Sequence, residues 1–69
     1  MSEMRKEILS AVKHHAKGNL AVHKMNVEIY LNNPAGIGEH SDVTESVVNE
    51  IEKIARWQDV LHVIEDHFE

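Results

Sequence analysis

Apolar side chains recur along two segments of the chain with the spacing of an α-helix. In the second segment they stand three or four residues apart throughout, which is the helical period. These positions are Val43, Val47, Ile51, Ile54, Trp57, Leu61, Ile64 and Phe68. In the first segment they share one broad helical face, formed by Met4, Ile8, Leu9, Ala11, Val12, Ala16, Leu20, Val22, Val27, Ile29 and Tyr30. The pattern predicts two long amphipathic helices and no strand.

The segment between the two patterns holds the only proline and two of the three glycines. Pro34 disfavours helical backbone at Asn33, so the first helix should end there. We predict helices at about 3–32 and 41–67, joined by a turn at 33–40. Ser2 can cap the first helix, and either His40 or Ser41 the second. The fold class is therefore all-α, an antiparallel two-helix hairpin that forms a single domain over residues 1–69.

Equal rise along two antiparallel helices sets which residues face each other. With these helix ends, Val12 lies opposite Leu61 and His23 opposite Glu50. Trp57 lies against Ala16 and near Gly18. Two small residues opposite the largest one would pack well, which would give this mid-helix glycine a structural role.

Polar residues interrupt the apolar faces at matching heights. On the first helix they are His15, Asn19, His23 and Asn26, and on the second Glu50 and Gln58. A buried polar group without a partner costs about 1–3 kcal/mol, so we expect His23 to pair with Glu50 and His15 with Gln58. Such a polar core layer can fix the register of the helices. The alternative interpretation is that these polar residues form a pH-sensitive or ligand-binding centre.

Four side chains, of which His15 also belongs to the polar layer, fall at one height of the hairpin: His14, His15, Asp59 and His62. Imidazole and carboxylate groups in this number could hold zinc or another divalent ion. The alternative is that Asp59 and His62 are solvated. The helical metal motifs with histidines or glutamates at fixed spacing are absent, and no nucleophile–base arrangement is visible. We therefore expect no enzyme activity and no cofactor.

The two apolar faces are wider than one partner helix can cover. The residues expected on their outer flanks, and hence in a dimer interface, are Leu9, Leu20, Val27, Val48 and Ala55. A second copy of the hairpin would bury both flanks and form a homodimeric four-helix bundle.

Charge and composition narrow the classes of function. The net charge of −5 argues against nucleic acid as a partner. No apolar run approaches the ~20 residues of a membrane span, and the charged N-terminal segment does not resemble a signal peptide, so we expect a cytoplasmic protein. The favoured function is a non-enzymatic interaction or structural module that associates with itself and docks on a larger protein. The alternative is a helical bundle that binds a small ligand or divalent metal through the polar layer.

The segment from Asn26 to His40 contains an Asn-Pro-x-Gly-Ile-Gly-Glu-His turn. It resembles a recurring segment in short uncharacterised helical proteins of marine T4-like phages. A weaker resemblance extends over residues 24–68. That family usually has proline at the position of Ser41. The resemblance implies a viral context, with the host cytoplasm as the location, and carries no activity.

Overall fold

Two long helices make up the fold. The computed structural model describes residues 2–32 and 40–69. Helix α1 covers Glu3–Asn32 and helix α2 covers His40–Phe68, and the described residues contain no strand. The predicted all-α hairpin is confirmed, with α1 ending where expected and α2 one residue longer at each end. Most of the predicted turn lies outside the described residues. The side chains of His40 and Ser41 are not described either, so the choice between them as helix cap is not tested.

The first turn of α1 is closed by Ser2. Its hydroxyl accepts a hydrogen bond from the backbone N–H of Arg5 at 3.1 Å, and its carbonyl accepts one from Lys6 at 3.4 Å. A serine hydroxyl in this position satisfies an N–H group that has no partner inside the helix. Glu3 adds a negative charge at the positive end of the helix dipole. The predicted cap is therefore confirmed, and α1 continues without a break through Gly18.

The two helices lie side by side in a flat, elongated hairpin of 53 × 16 × 12 Å. The guanidinium of Arg5 donates to the carbonyl of Phe68 at 2.8 Å, and Lys13 forms an ion pair with Glu69. Both contacts join the start of α1 to the end of the chain. Together with a contact between His23 and Glu50 in the middle of the hairpin, they establish the predicted antiparallel register.

The seam between the helices has a small core. Among the described residues only Ala16 and Ile64 are buried apolar side chains, with 0% and 6% of their surface exposed. Around them lie half-buried apolar residues, which on α1 are Leu9, Leu20, Val27 and Tyr30 and on α2 are Val43, Val47, Ile54, Trp57, Val60 and Leu61. A hairpin of two helices therefore covers one narrow stripe of each.

Gly18 does not have the role predicted for it. Apart from its two chain neighbours and the surrounding backbone of α1, no atom lies within 4 Å of the point where a side chain would begin at this position. Trp57 packs instead edge to face with the ring of His15, at 5.1 Å between ring centroids. The guanidinium of Arg56 lies over the ring of Trp57, 5.1 Å from its centroid. The prediction that Gly18 makes room for Trp57 was wrong, because Gly18 is exposed and Trp57 does not reach the space beside it.

Candidate functional site

One side of α1 carries a continuous line of exposed positions that are mostly apolar. They follow one another at alternating steps of four and three residues, which keeps them on one helical face. We call this line the outer stripe: Met4, Ile8, Ala11, His15, Gly18, Val22, Met25 and Ile29. Its five large apolar side chains are between 53% and 69% exposed. Single exposed apolar residues are ordinary on a protein surface, whereas a line along the whole length of a helix indicates an interaction surface.

The broad apolar face recognised in the sequence is in fact two stripes. Leu9, Leu20 and Val27 were expected on the outer flank, but the structure places them half-buried along the seam with α2. On α2, Val48 is 48% exposed and Ala55 is also exposed. The surface that α1 leaves uncovered is the outer stripe. Consecutive side chains of a helix point about 100° apart, so the broad apolar face of α1 can contact α2 with one side and leave its other side for a second partner.

A half-buried polar cluster joins the two helices within the seam. The carboxylate of Glu50 contacts the Nδ1 atom of His23 at 2.6 Å and accepts a hydrogen bond from the side-chain amide of Asn26 at 3.3 Å. The side chains of His23 and Glu50 are 15% and 13% exposed. The predicted pair of His23 with Glu50 is confirmed, and Asn26 joins it.

The electrostatics of this cluster favour an ionised Glu50. Burial by itself raises the pKa of the Glu50 carboxyl. Hydrogen bonds from His23 and Asn26, together with the charges of His23 and Lys53, outweigh burial and lower that pKa below its ordinary value of 4.5. The cluster therefore holds a carboxylate in the seam with both of its oxygens in contact with a partner.

The other predicted members of the polar layer lie outside this cluster. Asn19 bonds back to its own helix, donating to the carbonyl of His15 at 2.9 Å. The ring of His15 packs on Trp57, whereas Gln58 is exposed and lines a groove with Lys13 and Lys17. The predicted pair of His15 with Gln58 was wrong, because Trp57 and Gln58 leave α2 about 100° apart and only the former points toward His15.

The buried atoms of the polar layer are all hydrogen-bonded in the described part of the chain. Residues 2–32 and 40–69 contain no buried side-chain nitrogen or oxygen that lacks a partner. A satisfied cluster of this kind fixes how two helices are aligned, since any shift along the axis would separate the His23 and Glu50 side chains. The contacts thus favour the register-fixing interpretation of the layer.

The four residues considered for a metal do not converge. In the described ranges no group of three or more histidine, cysteine, aspartate or glutamate side chains is arranged to hold a metal ion. The Nδ1 atom of His14 lies 2.8 Å from the carbonyl of Ser10 on its own helix, and the ring of His15 packs on Trp57. His62 lines the groove with Lys13 and Lys17, and Asp59 is exposed. The four residues lie at similar heights along the hairpin, as predicted, but their side chains point in different directions.

The outer stripe is the feature that the sequence reasoning missed. Met25 was not assigned to any apolar face, and His15 and Gly18 were both expected to face residues of α2. The signal was present in the alternation of four and three residues from Met4 to Ile29. This spacing was not recognised as a separate stripe, because seam residues directly adjoin stripe residues on the surface of α1.

Neither described helix combines the length and the apolar character needed to cross a membrane. No family model, curated protein or solved structure matches the chain.

Proposed function

We propose that this protein is a helical-hairpin interaction module that acts as a homodimer, in which two hairpins pack into an antiparallel four-helix bundle. The observation that carries the proposal is the outer stripe. It runs along the whole of α1 and is exposed in a hairpin whose described residues bury only Ala16 and Ile64 as a core.

Energetic reasoning supports a second packing surface. A chain of this size loses about 1.5 kcal/mol of conformational free energy for each residue that it orders, and a small core rarely offsets that loss. Complete burial of one large apolar side chain contributes about 1.5–3 kcal/mol. The exposed Met4, Ile8, Val22, Met25 and Ile29 could therefore add a substantial part of the missing stabilisation once a partner covers them.

The chemistry of the outer stripe also suits burial. The stripe contains no lysine, arginine, aspartate or glutamate, and His15 is its only titratable side chain. Because the stripe has no lysine, arginine, aspartate or glutamate, its burial requires little free energy to desolvate charged groups. Interfaces of permanent dimers have this apolar composition.

The setting of the protein belongs to the same proposal. The resemblance of the segment from Asn26 to His40 to phage proteins suggests a viral module that works in the host cytoplasm. In that setting the exposed residues of α2, such as Val48 and Ile51, offer a surface for a larger protein partner.

Thermal unfolding at several protein concentrations tests the proposal. Because a dimer is favoured by mass action, the melting temperature of the wild-type protein should rise over about a hundredfold increase in concentration. Val22→Glu places a charge in the outer stripe and should remove that dependence. Lys17→Glu, an exposed change on the same helix, should preserve it. A cooperative wild-type melt that is independent of concentration would contradict self-association.

A further inference from the structure

We propose that α1 docks on α1 of a second copy in antiparallel orientation through the outer stripe, with His15 of each copy against Gly18 of the other. This inference rests on the proposed self-association and specifies its surface, partner helix and register. It commits to a second copy of the same chain as the occupant of the exposed face.

The outer stripe is complementary to itself when one copy is reversed. Equal rise along two antiparallel helices then brings its positions together in fixed pairs. The pairs are Met4 with Ile29, Ile8 with Met25, Ala11 with Val22, and His15 with Gly18. Large side chains meet at the outer levels, and at each inner level a small residue meets a larger one. Alternation of this kind fills an interface without gaps, as in protein interiors.

A parallel arrangement lacks this complementarity. Each residue would then face its own copy, so Gly18 would meet Gly18 and Ala11 would meet Ala11. Two levels would be left with gaps, and a third would press two His15 rings together. The order of large and small residues in the stripe therefore favours the reversed partner.

Gly18 gives an independent argument. A glycine inside a helix disfavours the helix, so its presence at the centre of α1 calls for a reason. Within the hairpin there is none, since no other side chain and no part of α2 lies within 4 Å of the point where a side chain would begin, the two chain neighbours of Gly18 apart. The close approach of a second helix at this level, where the His15 ring of the other copy needs space, supplies the reason.

The stripe matches α1 of a second copy better than it matches α2. The ring contact between His15 and Trp57 shows which side of α2 adjoins the outer stripe. The guanidinium of Arg56 lies over the ring of Trp57, and Lys53 and Arg56 are both exposed. Docking α1 on α2 of the second copy would set apolar residues against these cations, whereas α1 on α1 sets apolar residues against apolar residues.

The proposed register also makes a specific prediction about the rim of the interface. Two stripe residues, Ile8 and Ile29, are immediately preceded in the sequence by Glu7 and Glu28, which lie at the rim of the stripe and are both exposed. In an antiparallel pair, side chains on the same rim face each other, so Glu7 of one copy lies near Glu28 of the other. The two-fold symmetry of the dimer repeats this repulsion. Reversing one of the two charges therefore tests the register.

Charge reversal at this rim is the first test, with the dissociation constant measured by sedimentation equilibrium. Glu28→Lys turns both repulsive pairs into attractive ones and should tighten the dimer severalfold. The double variant Glu7→Lys/Glu28→Lys restores like charges and should return affinity toward that of the wild type. Glu52→Lys, on α2, makes the same change in net charge and should tighten the dimer less than Glu28→Lys. Equal effects of Glu28→Lys and Glu52→Lys would overturn the register.

Substitution at Gly18 is the second test. Gly18→Leu has open space in the hairpin, so the folded monomer should retain its helix content by circular dichroism. In the proposed dimer the leucine meets His15 of the other copy and should weaken association at least about tenfold, the equivalent of 1.4 kcal/mol. His15→Ala/Gly18→Leu makes room for it and should recover most of the affinity. A tighter dimer for Gly18→Leu alone would overturn the proposal, since a parallel pair would bring two leucines together.

Distances between spin labels test the orientation directly, because the chain has no cysteine and accepts a single label. Lys6→Cys and Lys17→Cys place labels on the side of α1 away from the stripe. In the antiparallel pair the two labels at position 6 lie about 30 Å further apart along the helix axis than those at position 17. Similar distances for both variants would overturn the antiparallel docking while leaving the homodimer intact. A monomeric wild-type protein would instead overturn the proposed function and this inference together.

Discussion

At the scale of single residues, Glu50 shows how the seam holds a charge. Its carboxylate is almost covered, yet it has His23 on one oxygen and Asn26 on the other. Burial raises its pKa, but these hydrogen bonds and the charges of His23 and Lys53 bring the pKa below the ordinary 4.5. The folded hairpin therefore binds a proton at Glu50 less readily than the unfolded chain does.

This difference predicts the direction of the pH dependence. A lowered folded pKa gives a contribution to the free energy of unfolding that is complete above the unfolded value and is lost as pH falls through the folded value. Glu50→Gln should therefore reduce the loss of stability between about pH 6 and about pH 3, as followed by urea unfolding. Glu52→Gln, at an exposed position, is the matched control. If the two variants lose stability with falling pH in the same way, the cluster does not hold the charge as described.

At the scale of elements, the seam between α1 and α2 depends on few buried side chains. Ile64 is 6% exposed, whereas Ile51 on the same helix is 50% exposed. Ile64→Ala should lower the free energy of unfolding by about 2–4 kcal/mol, since it removes buried methyl groups and leaves a cavity. Ile51→Ala makes the same chemical change at the surface and should cost much less. Urea unfolding of both variants provides the comparison, and equal losses would show that the seam lies on a different face of α2.

The bounds of the helices could be predicted from the sequence because local chemistry determines them. Ser2 caps α1 with its own hydroxyl, and Pro34 disfavours helical backbone at Asn33. Equal rise along the two helices then predicted the contact of His23 with Glu50. These inferences need only distances along the chain.

The rotation of each helix about its own axis could not be predicted in the same way. It depends on which side chains pack best in the seam, and one broad apolar face allows several choices. For this reason the role of Gly18, the partner of His15 and the exposure of Leu9 were misjudged, although their heights along the hairpin were correct. The metal hypothesis failed for the same cause, because His14, His15 and His62 share a height but not a direction.

At the scale of the whole molecule, the hairpin is a thin, two-helix layer with one seam and one uncovered stripe. Its described residues bury two apolar side chains and leave the five large ones of the outer stripe exposed. A second layer would convert the uncovered stripe into an interior, which is how four-helix bundles are built from hairpins. We therefore expect the functional form to contain two copies of the chain.

The number of copies is given by the molar mass in solution, measured by light scattering at tens of micromolar protein. We expect a mass of twice the 7.9 kDa of a single chain for the wild-type protein and for Lys17→Glu. We expect a mass close to 7.9 kDa for Val22→Glu under the same conditions. A wild-type mass of one chain, with full helix content by circular dichroism, would rule out the homodimer.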